Sequence, residues 1–187
     1  EIKFIARKER LEISEVVRRL QEAGLMSIPG GGAELLSDKV RRRVKAYPKC
    51  SSDEWIEVMR QAHHSGLRTS ATMMYGMGEG LEPRVEHLER VRRLQDETGG
   101  FTAFISWTFQ HEHTDLQDVP ETFAHEYLTT LAVSRLFLDN VRVPNSAVMS
   151  EVSYGGLTST TSRPQIPSAA TKPRIFRASR GRNPPGS

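Results

Sequence analysis

Three stretches of the chain carry residue types and spacings that could serve chemistry. In "SIPGGGAELLSDKV", residues 27–40, a proline and three glycines precede an acidic residue and a helix-forming run. Glycine loses more backbone freedom on folding than any other residue, so Gly30, Gly31 and Gly32 together need a reason. One reason is close approach of the backbone to a ligand, with the start of a helix over 33–44 aimed at it. Free N–H groups and the helix dipole favour an anion or carboxylate there, and Glu34, just inside that helix, would accept from ligand hydroxyl or amino groups. The other reason is a tight strand-to-helix turn in which Glu34 merely suits a first helical turn.

In "MMYGMGEGLE", residues 73–82, Gly76, Gly78 and Gly80 permit backbone approach to a flat ligand on which Tyr75 would stack. No Lys-Ser/Thr pair ends this loop, which disfavours a nucleoside triphosphate. In "QHEHT", residues 110–114, His111 and His113 could chelate a metal, but the sequence specifies no third ligand and a plain surface loop is the simpler reading. His63 and His64 sit near a helix C-terminus, where cations are favoured. His87 and His125 fall within helices and serve packing or the surface. Cys50 precedes a helix without a partner cysteine, as a structural thiol would. Met73, Met74 and Met77 read as core filler ahead of a cofactor pocket.

The elements that must position these residues repeat: an amphipathic helix, a glycine, a short apolar strand. Val16, Val17 and Leu20 share a face of the first helix, which Gly24 ends, and 25–28 follow as a strand. Ser51 and Glu54 form a capping box for the next helix. Its stripe is Trp55, Ile56, Met59 and Ala62, Gly66 ends it, and a strand covers 67–74. Pro83 opens a third helix, Gly100 ends it, and 101–107 form a strand. A last helix covers about 120–139. Such alternation predicts an α/β fold with parallel strands and crossover helices. The spacing of the capping glycines suits a β/α barrel, whose active site is built from loops at the strands' C-terminal ends. Three strands make this part of a barrel.

At 187 residues, 37% apolar and with a mean hydropathy of −0.49, the chain reads as a soluble domain with no membrane span and no visible secretory leader. A single cysteine excludes an internal disulfide framework and points to a reducing, cytoplasmic setting. The net charge of +3 hides a split: residues 1–150 hold 20 Lys/Arg against 22 Asp/Glu, and residues 151–187 hold six against one. The pI of about 9.2 therefore belongs to the tail and implies no nucleic-acid partner. Residues 1–140 form the barrel part; 141–187, rich in Ser, Thr, Pro and Arg, read as a disordered basic tail.

Several strings agree in order with one family. "EAGLMSIPGGGAELLSDKVRRRV", "PKCSSDEWIEVMRQAHHSGLRTSATMMYG" and "RVEHLERVRRLQDETGGFTAFISWTFQ" resemble radical S-adenosylmethionine (SAM) enzymes of menaquinone biosynthesis by the futalosine route. Among these, "SIPGGGAE", "PKC" before "DEW", and "FTAFISWTFQ" are more similar to the futalosine cyclase than to aminofutalosine synthase or the deazaflavin-forming FO synthase. The resemblance implies a partial (β/α) barrel of radical SAM type, with SAM and a 4Fe-4S cluster as cofactors. It implies cyclisation of the small-molecule substrate dehypoxanthine futalosine, and an electron donor such as flavodoxin or ferredoxin. By place in the pattern it implies SAM contacts from Gly30, Gly31, Gly32, Glu34, Met74, Tyr75 and Gly76, and substrate contacts from Trp107 and Gln110.

The chain also departs from that family. The three-cysteine cluster motif is absent, and cluster ligation needs several thiolates, so no metal ligand is assigned here. The cluster belongs to the full-length parent, and this fragment is expected to be inactive. Tyr75-Gly76-Met77 stands where the family has histidine third, and "SWTFQHEH" where it is proline-rich. The likeness stops near Asn140, and the tail beyond reads as a shifted reading frame would. A degenerate barrel that only binds a ligand is the competing class.

Overall fold

Helices with one apolar face, alternating with short apolar strands, bury both by laying strands side by side under a helical layer. The computed structural model of the chain describes residues 1–44 and 49–141. Its elements are α1 (Ile2–Glu9), α2 (Ile13–Glu22), β1 (Ser27–Ile28), α3 (Asp38–Arg43), α4 (Ser52–His64), β2 (Arg68–Tyr75), α5 (Leu81–Thr98), β3 (Phe101–Thr108) and α6 (Ala124–Phe137). The strands lie in chain order β1-β2-β3, all parallel. Each crossover thus advances one strand in the same direction, as in a segment of barrel wall. No described helix is long and apolar enough to cross a membrane.

Local chemistry sets the boundaries. The Ser51 hydroxyl accepts from the Glu54 N–H at 3.1 Å while the Glu54 carboxylate accepts from the Ser51 N–H at 3.0 Å, the reciprocal box expected at the start of α4. Trp55, Met59 and Ala62 are buried along that helix, and Ile56 is partly so. Gly24 and Gly66 follow α2 and α4 with φ of +102° and +85°. After α5 the left-handed residue is Gly99, φ +61°, not Gly100. Gly100 is needed for a different reason: a Cβ there would lie 2.1 Å from the His63 ring.

The sheet separates two environments. Parallel register pairs Ala71 with Phe104, Met73 with Ser106 and Tyr75 with Thr108, and this face is sealed by α4, α5 and α6. Its core includes Met73, Phe104, Leu88, Val91 and Leu94, with Trp55 stacked on Phe101 at 6.3 Å. Each such side chain contributes about 1.5–3 kcal/mol by leaving water. The opposite face carries Ser70, Thr72 and Met74, the last in register with Trp107.

Four expectations are corrected. The strand over 25–28 shrinks to two residues, because beyond Ile28 the chain is held to β2 by side chains: Ser70 Oγ accepts from the Gly30 N–H at 3.1 Å and Thr72 Oγ1 donates to the Gly30 carbonyl at 2.6 Å. The helix over 33–44 shortens to α3. The Glu34 carbonyl accepts from the Met74 N–H at 2.8 Å and the Leu36 N–H donates to His87 Nδ1 at 3.0 Å, so these groups are committed outside any helical ladder. The last helix spans 124–137. His63 is no helix-end cation: it is buried between α4, α5 and β2, its Nδ1 2.6 Å from Thr98 Oγ1 and its Nε2 2.7 Å from Thr69 Oγ1, with Phe101 edge-on at 4.7 Å. Burial, then the charges of Arg68 and His64, lower its pKa to about 4. The tail proposed for 141–187 lies, but for Val141, outside the described residues.

Candidate functional site

The loops leaving β1, β2 and β3 meet at the strands' C-terminal ends and enclose a cavity of about 310 Å³. Glu34, Arg43, Lys49, Met74, Met77 and Phe109 line it, with Thr114–Leu116 at its side. That volume falls at the small end of the range for small-molecule sites, which combine an apolar lining with few convergent polar groups. Here Val44, Met74, Met77, Phe109 and Leu116 supply the apolar surface; the carboxylates of Glu34 and Asp115, the Thr114 hydroxyl, the Arg43 guanidinium and the Lys49 ammonium supply the polar one.

Glu34 reaches the cavity through a strained backbone. Its φ is +41°, a left-handed conformation that costs a side-chain-bearing residue about 1–2 kcal/mol. The surroundings hold it there. Beyond the Met74 and His87 bonds, the fully buried Arg41 guanidinium donates to the carbonyls of Gly32 at 3.1 Å and Ala33 at 2.5 Å, and from its other edge to the Cys50 carbonyl at 2.8 Å and 3.1 Å. Leu35 and Leu36, which follow Glu34, are fully buried. The carboxylate itself is divided: Oε1 accepts from Lys49 at 3.1 Å, while Oε2 is buried with no hydrogen-bond partner and lies 3.9 Å from Arg41. Oε2 thus faces the buried Arg41 side, and Oε1 the Lys49 side.

Of the three glycines next to it, Gly30 is fixed by packing. A Cβ on Gly30 would come within 2.7 Å of the Ser70 carbonyl oxygen and 2.8 Å of Ala71 Cα, so only glycine lets this turn lie on β2. The Gly31 carbonyl accepts from Trp55 Nε1 at 3.2 Å, and Gly32 takes a φ of +79°. Gly30 is thus buried against β2, while a Cβ on Gly31 or Gly32 would meet open space.

The second loop is built on a buried ion pair. Glu79 accepts from the N–H groups of Gly76 and Met77 at 2.8 Å and 2.7 Å and from Arg84 at 2.8 Å. Burial raises its pKa, but those donors outweigh it and hold the carboxyl below its usual range. Arg84 also pairs with Glu126 of α6 at 2.7 Å and lies 4.6 Å over the Tyr75 ring. Tyr75 is thus turned into the helical layer, fully buried, and its ring is not presented to the cavity; burial pushes its hydroxyl pKa up. A Cβ on Gly76 would lie 2.2 Å from Thr122 Oγ1, so the third loop closes over that glycine. Arg43 donates to the carbonyls of Met77 and Gly78, joining the first and second loops across the cavity.

Of the sequence-predicted residues, Glu34 and Met74 meet at the cavity. Trp107 stands beside Met74 on the open sheet face, 39% exposed, and Gln110 is exposed at the loop that follows, its amide donating to Thr108 at 3.4 Å. Sequence reasoning missed Arg41, Glu79, Arg84 and His87. Cys50 lies against Arg41, which opposes the upward push of burial on its thiol pKa without cancelling it. With one such thiol in the chain, and no group of three His, Cys, Asp or Glu placed for a metal among the described residues, these residues do not fit an iron–sulfur cluster.

Comparison with known proteins gives this cavity its setting. The family described as the radical SAM superfamily matches residues 1–91, and the CofH/MqnC C-terminal region matches residues 98–153. The chain belongs to the radical SAM superfamily. It is 46% identical over 141 residues to cyclic dehypoxanthine futalosine synthase of Halalkalibacterium halodurans, covering 75% of this chain and 38% of that protein. It is also 46% identical over 144 residues to aminodeoxyfutalosine synthase of Thermus thermophilus, with the same coverage. A third relative is the 5-amino-6-(D-ribitylamino)uracil–L-tyrosine 4-hydroxyphenyl transferase of Methanothermobacter thermautotrophicus, 41% identical over 140 residues, covering 73% of this chain and 38% of that protein. The chain thus spans just over a third of the length of these curated relatives. The gap between the two matches, residues 92–97, falls within α5, so the candidate cavity draws its first two loops from the radical SAM match and its third from the CofH/MqnC region.

Proposed function

We propose that this chain carries the SAM- and substrate-binding wall of a cyclase that converts dehypoxanthine futalosine to its cyclic form in menaquinone biosynthesis. The observation that carries the reading is the Glu34 cavity: a strained, clamped carboxylate at the strands' C-terminal ends, in a chain 46% identical to a cyclic dehypoxanthine futalosine synthase. In this reading the Glu34 carboxylate accepts from the ribose or amino group of SAM, the Gly30–Gly32 turn brings the barrel rim up to SAM beside it, and Met74 with the backbone from Tyr75 to Gly76 flanks the adenine. Trp107 and Gln110 meet the substrate. SAM, when bound, supplies radical chemistry on one-electron reduction. The cluster and its donor, flavodoxin or ferredoxin, are assigned to the full-length parent, in the cytoplasm.

A second reading, aminofutalosine synthesis, is favoured by the equal identity to the Thermus protein. A chimera separates the two. Residues 1–140 replace the matching segment of the Halalkalibacterium protein, which supplies the rest of the chain, and the reconstituted product is assayed with each substrate. Turnover of dehypoxanthine futalosine alone is expected. Turnover of the aminofutalosine synthase substrate instead would overturn the cyclase reading, and a folded chimera that binds SAM without turning over either would make this segment a binding-only barrel.

A further inference from the structure

We propose that His87 is a positioning residue for the cavity carboxylate, acting on Glu34 through the backbone of Leu36. This rests on Glu34 being the SAM-contacting group, and goes beyond it by assigning a role to a side chain on a different helix that touches no ligand. His87 projects from α5, fully buried, with its ring tilted against Phe104 at 5.9 Å. Its Nδ1 accepts from the Leu36 N–H at 3.0 Å, so the ring proton sits on Nε2. That N–H is buried without a hydrogen-bond partner, an arrangement that costs about 1–3 kcal/mol relative to a satisfied group. A leucine or methionine at 87 would extend the apolar stripe of Leu88, Val91 and Leu94 and remove the orphaned Nε2 proton, but it would leave the buried Leu36 N–H without its acceptor. Either choice orphans one buried donor; the histidine places the orphan on its own ring and leaves the turn's amide paired. What the histidine supplies is one acceptor, aimed at one amide.

That amide lies two residues after Glu34, whose φ of +41° must be held against relaxation. Three tertiary contacts bracket the turn: Arg41 on the carbonyls of Gly32 and Ala33, Met74 on the carbonyl of Glu34, and His87 on the amide of Leu36. Arg41 and Met74 restrain the chain up to and at Glu34; His87 fixes where it leaves. Without that last anchor the Leu35–Leu36 segment is free to rotate toward the helical conformation its sequence otherwise favours, which swings the carboxylate out of the cavity. Backbone strain held by its surroundings is expected where a group must be pre-organised.

The test is SAM binding to the 187-residue chain by equilibrium dialysis, in wild type, Glu34→Gln, His87→Leu, His87→Asn and the Glu34→Gln/His87→Leu double variant. A positioning role predicts at least tenfold weaker binding for His87→Leu and binding within threefold of wild type for His87→Asn, whose amide oxygen can accept from Leu36. It predicts that His87→Leu adds nothing further once Glu34→Gln is present. A general packing role would instead weaken binding additively in both backgrounds. Wild-type affinity in His87→Leu, with Glu34→Gln impaired, overturns the positioning role and leaves the Glu34 reading standing. Binding unaffected by Glu34→Gln, or absent in wild type, overturns the Glu34 reading and this proposal with it. Should His87→Leu fail to fold, His87→Asn decides the matter: binding within threefold of wild type supports the positioning role, and binding at least tenfold weaker in a folded His87→Asn overturns it.

Discussion

Two buried neutral histidines make the fold sensitive to mild acid, by an amount the structure fixes. His63 and His87 have an ordinary pKa of 6.5 and are held at about 4 and about 3 in the folded chain. Burial is the main cause for both; nearby Arg68 and His64 add to it for His63, and Arg41 and Arg90 for His87. Both values are depressed, so below pH 6.5 the unfolded chain binds more protons than the folded one. Stability is then complete above that pH and declines as the pH falls toward the folded values. At pH 5 an unfolded imidazole is almost fully protonated and a folded one is not. At about 1.4 kcal/mol per pH unit, each histidine then costs about 2 kcal/mol, about 4 kcal/mol together, against a typical domain stability of about 5–15 kcal/mol. The depressed carboxylates Asp38, Glu54, Glu57 and Glu79 titrate below this window, since their ordinary values are 3.8 for Asp and 4.5 for Glu. Urea unfolding followed by far-ultraviolet circular dichroism at pH 7 and pH 5 measures the difference. His63→Gln lowers stability at both pH values, because the bonds to Thr98 and Thr69 are altered, but it halves the loss between them to about 2 kcal/mol. A wild-type loss below about 1 kcal/mol, or an unchanged loss in His63→Gln, would refute the neutral buried assignment.

Three further outcomes follow from the geometry. Gly30→Ala places a methyl against the backbone of β2, which cannot yield without breaking the sheet, and destabilises the chain by about 2–3 kcal/mol in urea titration; Gly31→Ala, where a Cβ meets nothing within 4 Å, costs well under 1 kcal/mol. Glu34→Gly relieves about 1–2 kcal/mol of left-handed strain against about 0.5–1 kcal/mol for glycine's extra freedom in the unfolded chain, so urea titration shows a gain of up to about 1 kcal/mol while SAM binding is abolished in dialysis; a loss of more than about 1 kcal/mol would mean that the Arg41 and Lys49 pairings of Glu34 outweigh the strain. Arg84→Met leaves the buried Glu79 carboxylate without its guanidinium and costs about 3 kcal/mol by thermal or urea unfolding; a cost under 1 kcal/mol would show that the Gly76 and Met77 amides satisfy Glu79 alone.

What the sequence made legible was whatever depends on neighbours along the chain. The Ser51–Glu54 box, the stripe of α4 and the parallel order of three strands all follow from spacing, and the structure agrees. The helix over 33–44 failed because its first residues spend their hydrogen bonds on Met74 and His87, which are about 40 and 51 residues away and invisible to a local pattern. Arg41 was hidden in the run Arg41-Arg42-Arg43, where a solvated face is the ordinary expectation and only the fold shows one of the three fully buried. His87 and Arg84 did leave a signal. With Leu88, Val91, Leu94 and Gln95 they fall at helical spacing on the buried face of α5, a spacing that could have marked each as a buried polar group needing a partner. Tyr75 illustrates the limit of a glycine-loop motif: the strand's alternation, not the loop, decides which way its ring faces.

The central claim is that the cavity framed by Glu34, Met74 and Phe109 receives SAM. Hydrogen–deuterium exchange of the chain with and without SAM tests it most directly. The account predicts added protection confined to three segments, residues 32–37, 74–79 and 109–116, and its disappearance in Glu34→Gln. Protection confined to the helical face of the sheet, or binding that leaves those three segments unchanged, would contradict it.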